Sequence, residues 1–310
     1  MRRILVTAIS GDVSNEILKI LQETNDEIYG CDVYDYPVGM DRVTRFWKSQ
    51  WASSPDYLDS LLEKCKEFGI THLIPVNEVE IAVINEEREK FTQAGIRLIM
   101  NDPELIRIFL NKFETIEYLK QMEGVCVPLT YRPNEFVEDG KEYIVKLNSS
   151  CGSKYLKKIT HCSEIEIEEK EDFIIQEYIP DAEHEYTVGV FSNGGRIDTI
   201  IFKRKLKHGY TSFVELVTEE GIKRDVERIA REIHLTGFIN IQLRVFKNKN
   251  FIFEINPRIS GTAGFRHQLG FRDVLWWLDL VDGRTEYEYE AQYKQAVGLR
   301  ELNEKFVILE

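Results

Sequence analysis

The residues best suited to do chemistry stand in Phe251-Ile252-Phe253-Glu254-Ile255-Asn256-Pro257-Arg258-Ile259-Ser260-Gly261. Side chains of a strand alternate between its faces, so Glu254 and Asn256 point one way and Phe253 and Ile255 the other. Pro257 keeps Asn256 extended, and Arg258 continues the polar face past the strand end. An earlier strand, Ile239 to Val245, is joined to this one by the polar stretch Phe246 to Asn250 and brings Gln242 alongside in a hairpin. One carboxylate and two amide oxygens suit Mg²⁺ (or Mn²⁺), which leaves its other positions to water and phosphate oxygens. A surface hairpin with polar outer positions is the alternative, and the convergence of Glu, Asn, Gln and Arg beside a proline favours the metal site.

Two other segments carry weaker signals. Lys146 lies inside the apolar run Tyr143 to Leu147, where an ammonium is costly to bury unless it meets an anion. The small-residue loop Asn148-Ser149-Ser150-Cys151-Gly152-Ser153-Lys154 follows it and could cradle phosphates with backbone N–H groups. Gln176-Glu177-Tyr178-Ile179-Pro180 reads as a strand entering an extended linker able to pair with a base edge, with Glu183 and Glu185 following as acceptors for ribose hydroxyls. On the substrate side, the basic stretch Phe202 to Ser212 contains Lys205 and Ser212, and Gly261, Arg266 and His267 follow the metal segment. These are the candidate contacts to a carboxylate substrate, with a solvated lysine run as the alternative.

The elements that must hold these groups are legible as periodicities. Ile4 to Ile9, Glu27 to Cys31, His72 to Val76 and Ile96 to Met100 are short apolar runs. They alternate with helical patterns at 17–21, 57–68 and 81–91, which means a parallel sheet. Asn101-Asp102-Pro103 caps a helix beginning near Glu104. After Pro128 the pattern turns to short β runs, then strands at 186–191 and 197–202, a helix at 222–233, the hairpin, and an apolar helix at 271–280 containing Trp276 and Trp277, which could be core or contact. Residues 286–310 are charged and aromatic, with no readable placement.

Composition narrows the classes. The 310 residues carry 40 Lys+Arg against 53 Asp+Glu, a net charge of −13, which argues against nucleic acid as the main partner. Five cysteines without a C-x-x-C pair suggest neither a disulfide framework nor a Cys-type zinc site, and fit a reducing cytoplasm. No run approaches the ~20 apolar residues of a membrane span, and the start is too briefly apolar for a signal peptide. G-x-x-x-x-G-K-[ST], H-E-x-x-H and G-x-S-x-G are all absent. The first turn has the single Gly11 where a dinucleotide site needs three, so despite Asp32 after the second strand it reads as part of a substrate crevice.

The order of these segments resembles the ATP-grasp superfamily over about residues 1 to 285, and within it the carbamoyl-phosphate synthetase large subunits and related carboxylate–amine ligases, since the first metal position is Gln242 rather than an acid. The resemblance implies an α/β pre-ATP-grasp domain (1–102), an ATP-grasp domain of two α+β subdomains (103–285, with a small lid at 120–178), and a tail (286–310) packing on the grasp domain. By it, Lys112, Lys146 and Ser153 hold ATP phosphates, the backbone of Glu177, Tyr178 and Ile179 holds adenine, and Glu185 holds ribose. Gln242, Glu254 and Asn256 ligate Mg²⁺, and Arg258 stabilises the transferring phosphoryl and acyl-phosphate groups. The implied reaction phosphorylates a carboxylate and passes the acyl group to an amine, releasing ADP and phosphate. Bicarbonate phosphorylation and a regulatory protein that binds ATP without turnover are the rival readings. Small-molecule substrates, no nucleic acid, no membrane and a possible homodimer complete the expectation. The loop departs from the family where Tyr155 stands in place of a final glycine.

Overall fold

The structure, a computed structural model, describes residues 1–149, 156–166, 172–180, 185–207 and 209–301. Strand β1 (Arg3–Val6) buries Ile4, Leu5 and Val6 completely, as a strand covered on both faces must. It turns into α1 (Asp12–Leu21), which buries Ile17, Leu18, Ile20 and Leu21. β2 (Glu27–Asp32), β3 (Arg45–Lys48), α2 (Tyr57–Glu67), β4 (His72–Ile74), α3 (Glu78–Glu86), α4 (Arg88–Gln93) and β5 (Arg97–Leu98) follow. The five strands form a parallel sheet in the order β3-β2-β1-β4-β5. Two features differ from the sequence reading. β3 has no apolar alternation that would reveal it, and the single helix expected over 81–91 breaks at Glu87, φ −117° and ψ 23°. Past the break, Arg88 donates to Asn85 Oδ1 at 2.7 Å and to the Asn101 carbonyl at 3.0 Å.

Helices α5 (Pro103–Phe109) and α6 (Lys112–Lys120) carry side-chain caps. Asp102 accepts from the Glu104 N–H and Asn111 from the Glu114 N–H, each worth about 1 kcal/mol. Beyond them β6 (Thr130–Tyr131), β7 (Tyr143–Leu147), β8 (Leu156–Ile159) and β9 (Phe173–Glu177) make a small antiparallel sheet, β6-β9-β7-β8, over a core of Tyr143, Val145, Ile159, Phe173 and Ile175.

The large sheet is built from β10 (Glu185–Asn193), β11 (Ile197–Lys207), β12 (Tyr210–Val217), β13 (Thr236–Phe246), β14 (Lys249–Asn256) and β15 (Ala296–Leu299), in the order β14-β13-β10-β11-β12-β15. Helix α7 (Glu220–Glu232) covers one face with Ile222, Val226, Ile229 and Ala230. Lys247 and Asn248, at φ 49° and 59°, form the two-residue turn of the β13–β14 hairpin. After α8 (Ala263–Gln268) comes α9 (Asp273–Val281), whose Trp276 and Trp277 are buried and so belong to the core. Tyr287 and Tyr289 pack against Trp276, and β15 pairs with β12, so the described part of the chain after 286 lies against the large sheet. The N-terminal sheet is pinned to α9 and the turn after it by Arg2, which donates to Asp279 and Asp282, and by His72, 2.9 Å from Asp282. Among the described residues no helix is long and apolar enough to cross a membrane.

Candidate active site

The three sheets meet around one cavity of about 450 Å³. Lys112, Lys146, Glu177, Tyr178, Ile179, Glu185, Gln242, Glu254, Asn256, Arg258 and Gly261 all line it. Strand register explains the metal-like group: Gln242 faces Glu254 across the β13–β14 ladder, and Asn240 faces Asn256. Asn256 Nδ2 donates to Glu254 Oε1 at 3.1 Å. The ladder slips between Gln242 and Leu243, leaving Phe253 as an extra residue. That bulge corrects one expectation: Phe253 lines the cavity together with Glu254 instead of facing away.

Burial and charge then set the protonation states. Lys146 is 6% exposed, and desolvation pushes its ammonium down to about 8, with Glu254 opposing and Lys112 adding to the drop. Its Nζ is 3.4 Å from the Phe253 carbonyl. Burial pushes the Glu254 carboxyl up, but Lys112, Lys146 and Arg204 outweigh it and hold it below the usual range, so Glu254 is a carboxylate. Asn148, the buried first residue of the small-residue loop, fixes both lysine segments. Its carbonyl accepts from the Lys112 backbone N–H at 3.1 Å, its Oδ1 from the Phe113 N–H at 2.9 Å, and its Nδ2 donates to Asp172 at 2.7 Å.

Glu185 is gripped by two guanidiniums, Arg204 at 2.7 Å and Arg244 at 2.9 Å. Burial raises its carboxyl, and the two arginines reverse that and hold it ionised. Arg204 also donates to Gln242 Oε1 at 2.7 Å, so the amide oxygen expected to meet a metal is already engaged. In the hinge, the Glu177 N–H donates to the Leu129 carbonyl, the Tyr178 N–H to the Glu142 carbonyl, and the Ile179 carbonyl accepts from Arg244. The Tyr178 N–H and Ile179 carbonyl are therefore committed within the protein. Arg258 reaches Glu78 at 2.6 Å, which draws the N-terminal sheet into the site. Asn101 Nδ2 donates to the Phe238 and Pro257 carbonyls at 2.7 and 2.9 Å, holding the strand end from which Arg258 projects.

Several expected substrate contacts are not brought together. Lys205 and Ser212 lie on the opposite face of the β11–β12 hairpin, where Lys205 sits over Phe213 and Ser212 donates to the Lys205 carbonyl. Their neighbours Arg204, Leu206 and Thr211 line the cavity instead, because strand faces alternate and a one-residue offset inverts them. Arg266 is wholly buried, paired with Asp273 at 2.6 Å, and donates to the Ser260 and Thr262 hydroxyls at 2.8 and 2.6 Å. It reaches the cavity only through those hydroxyls. Gly189 makes room for it, since a Cβ there would come within 2.7 Å of the Arg266 side chain. His267 pairs with Glu23 at 2.9 Å and is not among the lining residues. Ser153, Lys154 and Glu183 lie outside the described residues. Arg244 and Glu78 escaped the sequence reading, because each looks like an ordinary charged residue until the fold converges them, while Asn148 and Arg204 fell inside segments it named without being singled out.

The donor set is one ionised carboxylate with the Gln242 amide opposite it, held by Arg204, and the Asn256 amide two ladder positions on, which fits a hard divalent cation sharing its sphere with phosphates.

Comparison with known proteins follows the same lines. Residues 169–305 match the model of a family described as ATP-grasp in the biosynthetic pathway with Ter operon, and residues 4–99 match the PylC-like N-terminal domain. The large chain of carbamoyl phosphate synthase from Sulfolobus acidocaldarius is 24% identical over 228 residues, 70% of this chain and 20% of that one. Its counterpart from Thermoplasma volcanium is 28% identical over 142 residues, 46% and 12% of the two chains. The chain thus spans about a fifth of the length of such relatives. Among solved structures, N5-carboxyaminoimidazole synthetase from Staphylococcus aureus complexed with ADP superposes with a TM-score of 0.73 at 14% identity, covering 96% of this chain and 80% of that one. The L-amino acid ligase from Bacillus licheniformis superposes with a TM-score of 0.71 at 15% identity, covering 91% and 74%.

Proposed function

Since the chain is an ATP-grasp protein in sequence and in fold, we propose that it is an ATP-dependent ligase that activates a carboxylate as an acyl phosphate and transfers the acyl group to an amine. The observation that carries the reading is the convergence, in one cavity, of Glu254 and Asn256 with Lys112, Lys146 and Arg258.

The chemistry explains why these groups are needed. A carboxylate approaching the γ-phosphate of ATP brings like charges together, at about 4 kcal/mol per pair at 4 Å and an effective dielectric of 20. Lys112, at the start of α6, and Lys146, on β7, line the cavity and hold the phosphates, while Arg258 steadies the phosphoryl group in transfer. Glu254 and Asn256 hold Mg²⁺ (or Mn²⁺), which supplies neutralising charge on the phosphates, and Gln242 joins them only if Arg204 releases it. The hinge at Glu177 to Ile179 takes adenine through the backbone groups not already engaged within the protein, as the Tyr178 N–H and Ile179 carbonyl are, and Glu185 faces ribose. The carboxylate oxygen attacks the γ-phosphorus as the bond to ADP breaks; the amine then attacks the acyl carbon and phosphate leaves. The lid built on β7 and β9 excludes water from the acyl phosphate. We place this activity in the cytoplasm, on small-molecule substrates.

Phosphorus NMR of the protein with Mg·ATP, pooled carboxylates including bicarbonate, and pooled amines tests the reading. It predicts ADP and phosphate whose growth depends on one acid, and loss of roughly 100-fold or more in E254A with ATP binding retained. AMP and pyrophosphate, or no turnover with any acid, would contradict it.

A further inference from the structure

Resting on the ligase reading, we propose that the carboxylate activated here belongs to a free amino acid, whose ammonium group is received by Asp12. The substrate end of the cavity is walled by Gly11, Asp12 and Val13 at the start of α1, by Asn77 and Glu78 at the start of α3, and by Ser260 to Thr262 after β14. Its described charges are Asp12, Glu78 and Arg258. Glu78 and Arg258 neutralise one another at 2.6 Å. Asp12, exposed at the start of α1, makes no hydrogen bond or ion pair with a described residue, so among the described charges of this end its carboxylate is the one left over. It packs against the opposite wall: a Cβ on Gly261 would come within 2.7 Å of Asp12 Oδ2.

A second observation is independent of the first. Asn240 is 1% exposed and lines the same cavity, two ladder positions from the Gln242–Glu254 pair. Its Oδ1 accepts from Thr187 at 2.8 Å, yet its Nδ2 has no partner among the described residues. A buried donor without an acceptor costs roughly 1–3 kcal/mol unless a ligand supplies one. A buried amide N–H without an acceptor on the cavity wall asks for a carboxylate oxygen, and a carboxylate without a partner among the described residues asks for a cation. One small molecule that meets both is a zwitterion. A phosphorylated or polyanionic acid meets the Asp12 carboxylate instead, and bicarbonate leaves Asp12 unused.

ADP release from Mg·ATP, measured with a panel of free amino acids, their N-acetyl derivatives, phosphorylated hydroxy acids and bicarbonate, tests the proposal. Free amino acids are expected to support turnover, and N-acetylation to lower kcat/KM about tenfold or more, the scale of one charge-assisted hydrogen bond. D12N is expected to raise KM for the amino acid by a similar factor while KM for Mg·ATP stays within about twofold, and to narrow the gap between free and acetylated acids. Equal turnover of acetylated, phosphorylated or bicarbonate substrates, or an unchanged KM in D12N with an intact thermal melt, overturns the ammonium site and leaves the ligase standing. No ADP with any acid overturns both.

Discussion

Lys146 shows how a single side chain can tie pH to binding. In the ligand-free protein its ammonium titrates near 8 because burial disfavours charge. Polyphosphate favours the charged form, so binding raises that value and takes up a proton once the solution pH exceeds about 8. ATP affinity is therefore expected to be flat below pH 8 and to fall about tenfold by pH 9, where only about a tenth of the free protein carries the charge. Calorimetry at pH 7 and 9 checks this, and K146R, which stays charged, should flatten the profile. Glu185 offers a complementary prediction. E185Q leaves Arg204 and Arg244 without their carboxylate in a mostly buried setting, and an unfolding free energy lower by about 3 kcal/mol is expected by denaturant titration.

Elements decide which of neighbouring residues reach the site. Along β11 and β12, Arg204 and Thr211 face the cavity while Lys205 and Ser212 face away. K205A should leave KM for Mg·ATP within about twofold, whereas R204A, which strips Glu185 and Gln242 of their partner, should raise it about tenfold or more. Steady-state kinetics of the two variants separates them. This strand also shows where reading the sequence stops. β1 and the β13–β14 hairpin were legible because apolar runs and alternation mark them. The face of the lysine-rich stretch was not, since a solvated strand end shows no hydrophobic pattern from which to set its register. Glu254, Asn256 and Arg258 are neighbours in sequence and could be found together, while Glu78, Asn101, Asn148 and Arg244 reach the site only through long-range contacts.

At the scale of the whole molecule, the N-terminal sheet and the last described strand close the substrate end. Arg300, after β15, donates to the Thr211 carbonyl at 2.8 Å, to Glu16 of α1 at 3.0 Å and to the Gly261 carbonyl. One side chain thus joins α1, β12 and the loop that follows the metal-binding strand. R300A is expected to raise KM for the carboxylate more than KM for ATP, because only the substrate end loses its tie. A uniform rise in both would mean that Arg300 supports the fold alone. The central claim concerns where the γ-phosphoryl group goes, and oxygen transfer reads it directly. With the carboxylate that supports turnover labelled with ¹⁸O, the inorganic phosphate released should carry one labelled oxygen per turnover, resolved by its phosphorus isotope shift. Unlabelled phosphate accompanying ADP would show that no acyl phosphate forms, and would contradict the account.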